Sequence, residues 1–169
     1  MIEFRLANKG EITRQKEIWR ASFGDNERYI DFFYANRYRE EETMLLLKDK
    51  IIAAMLTMLP VKIHVSDLRS YNSTMLYAIA THPHYQHQGF ASRLLEYAHH
   101  YLREKNSNFT LLVPSSKELF YFYKKQGYQD GFYIREALLT QEKIESMQII
   151  ETFLCNITGI SPQEYNHRR

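Results

Sequence analysis

At 169 residues, with 44% hydrophobic and 25% charged residues and a formal net charge of +2, the chain can bury one complete core. Its balanced charge excludes a dominant electrostatic pull toward nucleic acid or an anionic membrane. The single cysteine, Cys155, excludes an intrachain disulfide and fits a reducing, cytoplasmic setting, while apolar runs such as residues 51–58 are too short for a membrane helix and Met1-Ile2-Glu3-Phe4-Arg5 lacks the apolar core of a secretory leader.

In chain order, residues 2–6 alternate apolar and charged side chains and predict a first strand, followed by an Asn8-Lys9-Gly10 turn. Ile12, Lys16, Trp19 and Phe23 predict a helix with one buried stripe. Tyr29, Ile30, Phe32, Phe33 and Tyr34 predict a second, aromatic helix after Gly24-Asp25-Asn26. Residues 44–48 and 51–59 read as two strands joined by Asp49-Lys50, a polar break that suits an antiparallel hairpin. Lys62 to Val65 extends or follows the second of these after Pro60, and the polar residues 66–73 read as a connection to a central strand over residues 75–81. Pro83 disfavours helix at His82, so the chain leaves the strand there and turns through His84 and Tyr85.

Ala91, Leu94, Leu95, Ala98, Tyr101 and Leu102 recur with helical spacing, which predicts a helix beginning near Gly89. Residues 109–113 predict a short strand, and Pro114 separates it from a helix starting at Ser115 or Ser116, with Ser115 and Glu118 at capping-box spacing and Gly127 at its end. Residues 128–139 predict further strands around Asp130-Gly131, and Ile144, Met147, Ile150 and Leu154 predict a packed helix in the tail at residues 141–169. A single domain over residues 1–169 is expected.

The most informative segment is Tyr85-Gln86-His87-Gln88-Gly89-Phe90-Ala91, which joins a strand to a helix and exposes several backbone amides. A turn followed directly by a helix start gathers N–H groups that can hold phosphate without side-chain charge.

Together with Ile79-Ala80-Thr81-His82-Pro83-His84-Tyr85 and Phe122-Tyr123-Lys124-Lys125-Gln126-Gly127-Tyr128, this segment resembles the GCN5-related N-acetyltransferase superfamily. Gln86, Gln88, Gly89 and Ala91 match that family's pyrophosphate loop, with Ala91 standing where a final glycine is frequent. The resemblance implies an α/β (α+β) fold: a mixed, mostly antiparallel sheet flanked by helices, with acetyl-coenzyme A (acetyl-CoA) entering where two central strands splay apart. It implies that the amides of His87, Gln88, Gly89, Phe90 and Ala91 take the diphosphate and that backbone groups of Ile79, Ala80 and Thr81 face the pantetheine arm. It also implies that Tyr123 protonates the departing thiolate, with Tyr121 as the fallback. The segment Leu111-Leu112-Val113-Pro114-Ser115-Ser116, followed by the Tyr123-to-Tyr128 segment, is further similar to the acetyltransferase portion of the enhanced-intracellular-survival group.

The expected activity is therefore direct transfer of an acetyl group from acetyl-CoA to an amine, a small amine being favoured over a peptide because no elongated peptide-recognition track is evident. A homo-oligomer is compatible with the sequence. Loop 24–42 and the region after Gly127 are candidate specificity elements. His82 and His84 can relay a proton through water, and Glu40, Glu41 and Glu42 read as a solvated acidic run. His82, His84 and His87 lack a clear fourth ligand, so no metal is expected. Two other readings compete with the transferase: a noncatalytic coenzyme A-binding or protein-interaction module, and an acyltransferase using another acyl-coenzyme A.

Overall fold

The apolar run Met44-Leu45-Leu46-Leu47 lies fully buried because both faces of its strand are covered. The computed structural model describes residues 1–66 and 69–133, and its helices and strands lie in one compact unit, Met1–Gln129. In order they are β1 (Ile2–Leu6), α1 (Ile12–Phe23), α2 (Glu27–Asn36), β2 (Thr43–Lys48), β3 (Ile51–Ser66), β4 (Arg69–Thr81), α3 (Phe90–Glu104), β5 (Phe109–Leu111) and α4 (Lys117–Lys125). The five strands form one sheet in the order β1-β2-β3-β4-β5; β1 to β4 are antiparallel and β5 runs parallel to β4. This is the expected mixed, mostly antiparallel sheet flanked by helices.

The β2–β3 hairpin forms where expected. Asp49 and Lys50 both take positive φ, 50° and 67°, matching the right-handed twist of the strands they join. Beyond it the strands run longer than the sequence pattern suggests. Lys62 to Val65 belongs to β3 itself, and β4 begins at Arg69, so most of the expected polar connection at residues 66–73 is strand. Lys62, His64, Arg69, Ser70 and Asn72 are exposed there, so no apolar alternation marks the ladder. Pro60 is tolerated within β3 because the β2 pairing ends at Thr57, leaving that side of the strand without a described ladder partner.

Each face of the sheet carries a core. One joins Met44, Leu46, Leu56, Met58 and Leu76 to α3 through Phe90, Leu94, Leu95 and Ala98. The other joins Leu45, Leu47, Met55 and Ala80 to α1 and α2 through Ile18, Trp19, Ile30 and Phe33. Leu46→Ala, at a fully buried position, is expected to destabilise the fold by about 2–5 kcal/mol, read from the midpoint of urea unfolding.

Several local expectations need correction. The buried stripe of α1 is Gln15, Ile18 and Trp19, whereas Phe23 is exposed and Lys16 reaches Asp31 at 2.6 Å. Gln15 displaces the pattern because its amide is satisfied inside, donating to Tyr38 Oη at 3.1 Å and accepting from Tyr34 Oη at 3.5 Å. Likewise, α2 buries Ile30, Phe33 and Tyr34 but leaves Tyr29 and Phe32 exposed. The cap of α4 is shifted by one residue: Ser116, not Ser115, accepts the Leu119 N–H. At the other end, Gly127 (φ 90°) closes α4 as expected, its N–H reaching Lys124 and that of Tyr128 reaching Tyr123. The strand β5 stops at Leu111 rather than Val113. Residues 128–133 form no strand; residues 134–139 and the expected tail helix at 141–169 lie outside the described residues, as does Cys155.

His99 on α3 shares a 2.8 Å hydrogen bond between Nε2 and Tyr128 Oη. Burial, aided by Arg103 and His100, holds its imidazole below the ordinary value of 6.5. The unfolded chain therefore binds this proton first, so stability is full above pH 6.5 and is lost as pH falls toward the lowered folded value. Thermal unfolding between pH 8 and pH 5 is expected to show a steeper loss for the unaltered chain than for His99→Gln.

Candidate functional site

The site begins where the sheet opens. The β4–β5 ladder holds only Ser73, Thr74 and Met75 against Phe109, Thr110 and Leu111. Residues 76–81 continue beyond it, bonded to β3 on one side and with no described strand on the other. A bulge bends this stretch: Met55 opposes Ala80 and Thr57 opposes Tyr77, so β4 spends three residues where β3 spends two, and Ala78 adopts φ 48°. Ile79, Ala80 and Thr81 follow directly at the open edge. Thr81 Oγ1 is buried without a hydrogen-bond partner among the described residues, and the Thr81 carbonyl accepts from Gln86 Nε2 at 3.1 Å.

The chain then passes through a single helical turn at Pro83–Tyr85 into the loop. His87 (φ 60°) and Gly89 (φ 72°) are both left-handed, with Gln88 between them. Such alternation turns successive N–H groups toward one concavity, an anion-binding arrangement. The loop ends on α3, whose first helical bond runs from Arg93 N–H to the Gly89 carbonyl. No side chain caps this end and no acidic residue lies in its first turn, so the amides of Phe90, Ala91 and Ser92 and the positive end of the helix dipole remain available. A side chain at Gly89 would meet nothing within 4 Å, so space stands open beside these amides. The residues present thus fit a phosphorylated ligand.

Tyr123 lies on the same face of the sheet as the loop. It shares a core cluster with Phe90 and Leu76, against which Ile79 and Tyr85 pack. Its ring is 8% exposed and contacts Phe122 and Tyr128 edge-on, while its hydroxyl has no hydrogen-bond partner among the described residues. Burial, with Tyr128 adding, pushes its phenol up to about 12, so it carries its proton at neutral pH. Tyr121, the fallback, is 71% exposed.

On the opposite face stand groups that sequence reasoning did not assemble. Tyr77 Oη lies 2.6 Å from Tyr29 Oη, its ring contacts Trp19 and Phe33, and Trp19 Nε1 donates to Asp25 Oδ2 at 2.8 Å. His82 is buried with its Nδ1 accepting the His84 N–H, and its Nε2 is 3.6 Å from Glu17 Oε1. Burial, then Arg14 and His84, lower its pKa against the opposing Glu17. Glu42 is engaged by Arg37 at 2.5 Å. Among the described residues no three His, Cys, Asp or Glu side chains gather as metal ligands, and no helix is long and apolar enough to cross a membrane.

A mostly antiparallel sheet with an opened strand feeding an amide-lined helix start is an α+β domain fitted to a phosphorylated ligand. The model of the acetyltransferase (GNAT) domain matches residues 3–130, and the chain belongs to that family. Solved structures agree on the fold. A predicted acetyltransferase with acetyl-CoA from Clostridium acetobutylicum superposes with a TM-score of 0.65 at 18% identity, covering 82% of this chain and 96% of that one. A transcriptional regulator from Bacillus halodurans gives 0.63 at 15% identity over 82% of this chain and 100% of that one. A GCN5-related N-acetyltransferase from Anabaena variabilis gives 0.64 at 16% identity, over 72% of this chain but only 31% of that one. Comparison with curated protein sequences gives no match.

Proposed function

We propose that the protein is a cytoplasmic N-acetyltransferase that moves an acetyl group from acetyl-CoA to a small amine by direct transfer. The observation that carries this reading is the continuity of the open edge at residues 76–81 with the doubly left-handed loop and uncapped start of α3. When bound, the donor supplies an activated thioester carbonyl. Amides of residues 87–91 hold its diphosphate, and backbone groups of Ile79, Ala80 and Thr81 align the pantetheine arm and the acetyl carbonyl.

The amine must be neutral when it attacks, since a protonated nitrogen has no lone pair. Its N–C bond forms as the C–S bond breaks; Tyr123 gives its proton to the departing sulfur and regains one from solvent, and the proton leaving nitrogen passes to water. Tyr29, Tyr77 and Asp25 support an amine acceptor on the α1 and α2 side, because aromatic faces beside a carboxylate favour a cation before it is deprotonated.

Calorimetric titration with acetyl-CoA tests the donor, and release of free thiol across a panel of primary amines tests transfer. Binding with transfer supports the proposal. Binding without transfer to any amine favours a noncatalytic coenzyme A-binding module, and preference for a longer acyl chain favours another donor.

A further inference from the structure

We propose that Lys48, the last residue of β2, is a positioning residue for the anionic part of the donor, bringing a positive side chain to the phosphate-binding loop. The inference rests on the donor reading above and adds a residue that lies forty positions away from the loop in sequence. Lys48 is half-buried, and its Nζ donates to Gln88 Oε1 at 2.9 Å. The same ammonium stands 5.9 Å from the ring centre of Tyr85 and 5.8 Å from that of Phe90, so it lies over the two aromatic residues that flank the loop. Gln88 in turn reaches the His84 carbonyl through Nε2 at 3.5 Å, so Lys48 fixes the side chain at the centre of the left-handed pair His87 and Gly89.

The charge balance around Lys48 suits an anionic ligand. No carboxylate forms an ion pair with it among the described residues, and its neighbour Asp49 is engaged by the Met1 ammonium. The exposed ammonium bonds a neutral amide and lies over two ring faces, and the one carboxylate whose charge it feels, Asp49, its pKa lowered mainly by the Met1 ammonium, forms no ion pair with it among the described residues, so it has donors to spare. The topology explains the placement: β2 runs parallel to β4, with β3 antiparallel between them, and the Lys48–Ile51 pair lies just beyond the Ala54–Thr81 pair. The end of β2 therefore meets the turn by which the chain leaves β4. A diphosphate on the loop amides adds negative charge beside this exposed ammonium, an attraction that added salt screens.

The test is calorimetric titration of acetyl-CoA into the full chain, Lys48→Met and Lys48→Arg, at low (~0.05 M) and high (~0.5 M) salt, with thermal unfolding as a folding check. Methionine keeps the stem over the rings and removes the charge. At low salt Lys48→Met is expected to bind about tenfold more weakly, the size of one charge-assisted contact, with the gap narrowing at high salt and Lys48→Arg restoring most of the affinity. Equal affinity of Lys48→Met and the unaltered chain at low salt overturns the inference. So does a loss that is the same at both salts and is not rescued by arginine, since that describes a scaffold and not a charge. Absence of binding by the unaltered chain overturns the donor reading instead, before any variant is compared.

Discussion

Tyr123→Phe is expected to lower kcat for acetyl transfer by about 10²- to 10⁴-fold while leaving acetyl-CoA affinity nearly unchanged. The ring is packed between Phe122 and Tyr128, and phenylalanine preserves that packing. The hydroxyl makes no hydrogen bond among the described residues, so its removal orphans no protein partner and the melting temperature should hold. Only a step that needs the phenolic proton should suffer. Because burial pushes this phenol up to about 12, the unaltered enzyme should show no loss of rate from Tyr123 ionisation near neutral pH. Steady-state measurement of released thiol with a verified amine decides the matter: an unchanged kcat would assign the proton to water or another donor.

Gly89→Val should affect an earlier step and weaken acetyl-CoA binding by at least about 100-fold. At φ 72° an L-residue is strained by about 1–2 kcal/mol, and a β-branched one by more, so the loop should relax out of the left-handed conformation that turns its amides inward. None of the described residues lies within 4 Å of the added carbon, so the fold they form has room for it. The damage should appear as lost affinity with a modest drop in melting temperature. Gly89→Asn is the informative companion, because asparagine tolerates left-handed backbone and should retain much of the binding. Calorimetry reads both, and normal affinity in Gly89→Val would remove the loop from the donor site.

How much of this was legible in the sequence depended on how local the cause was. The loop from Gln86 to Ala91 was readable because a left-handed glycine between an apolar strand and a periodic helix is a local arrangement, and the Asp49-Lys50 hairpin was readable for the same reason. Tyr123 came from resemblance, since one tyrosine among 13 carries no signal of its own. Lys48 and Tyr77 were missed because their partners, Gln88 and Tyr29, arrive from distant elements. The stripe of α1 is not legible because apolar periodicity passes over a glutamine, and only tertiary partners make Gln15 a core residue. The outer part of β4 was missed because a ribbon without a buried face needs no alternation to form.

The bend at Ala78 carries a further consequence, for parity. Leu76, Ala78 and Ala80 are all buried while Tyr77, Ile79 and Thr81 are less so, a period-two pattern that looks unbroken. Yet Leu76 packs with α3, whereas Ala78 and Ala80 pack with α1 and α2. The alternation hides a slip of phase, and a register drawn through it from either end assigns half the strand to the wrong layer. Ala78 is the surplus residue: without it Tyr77, Ile79 and Ala80 would keep their present sides, and only the contour of the open edge would straighten. Chain length and side-chain facing are thus uncoupled at this one position, so the edge can change its curvature with both cores left as they are.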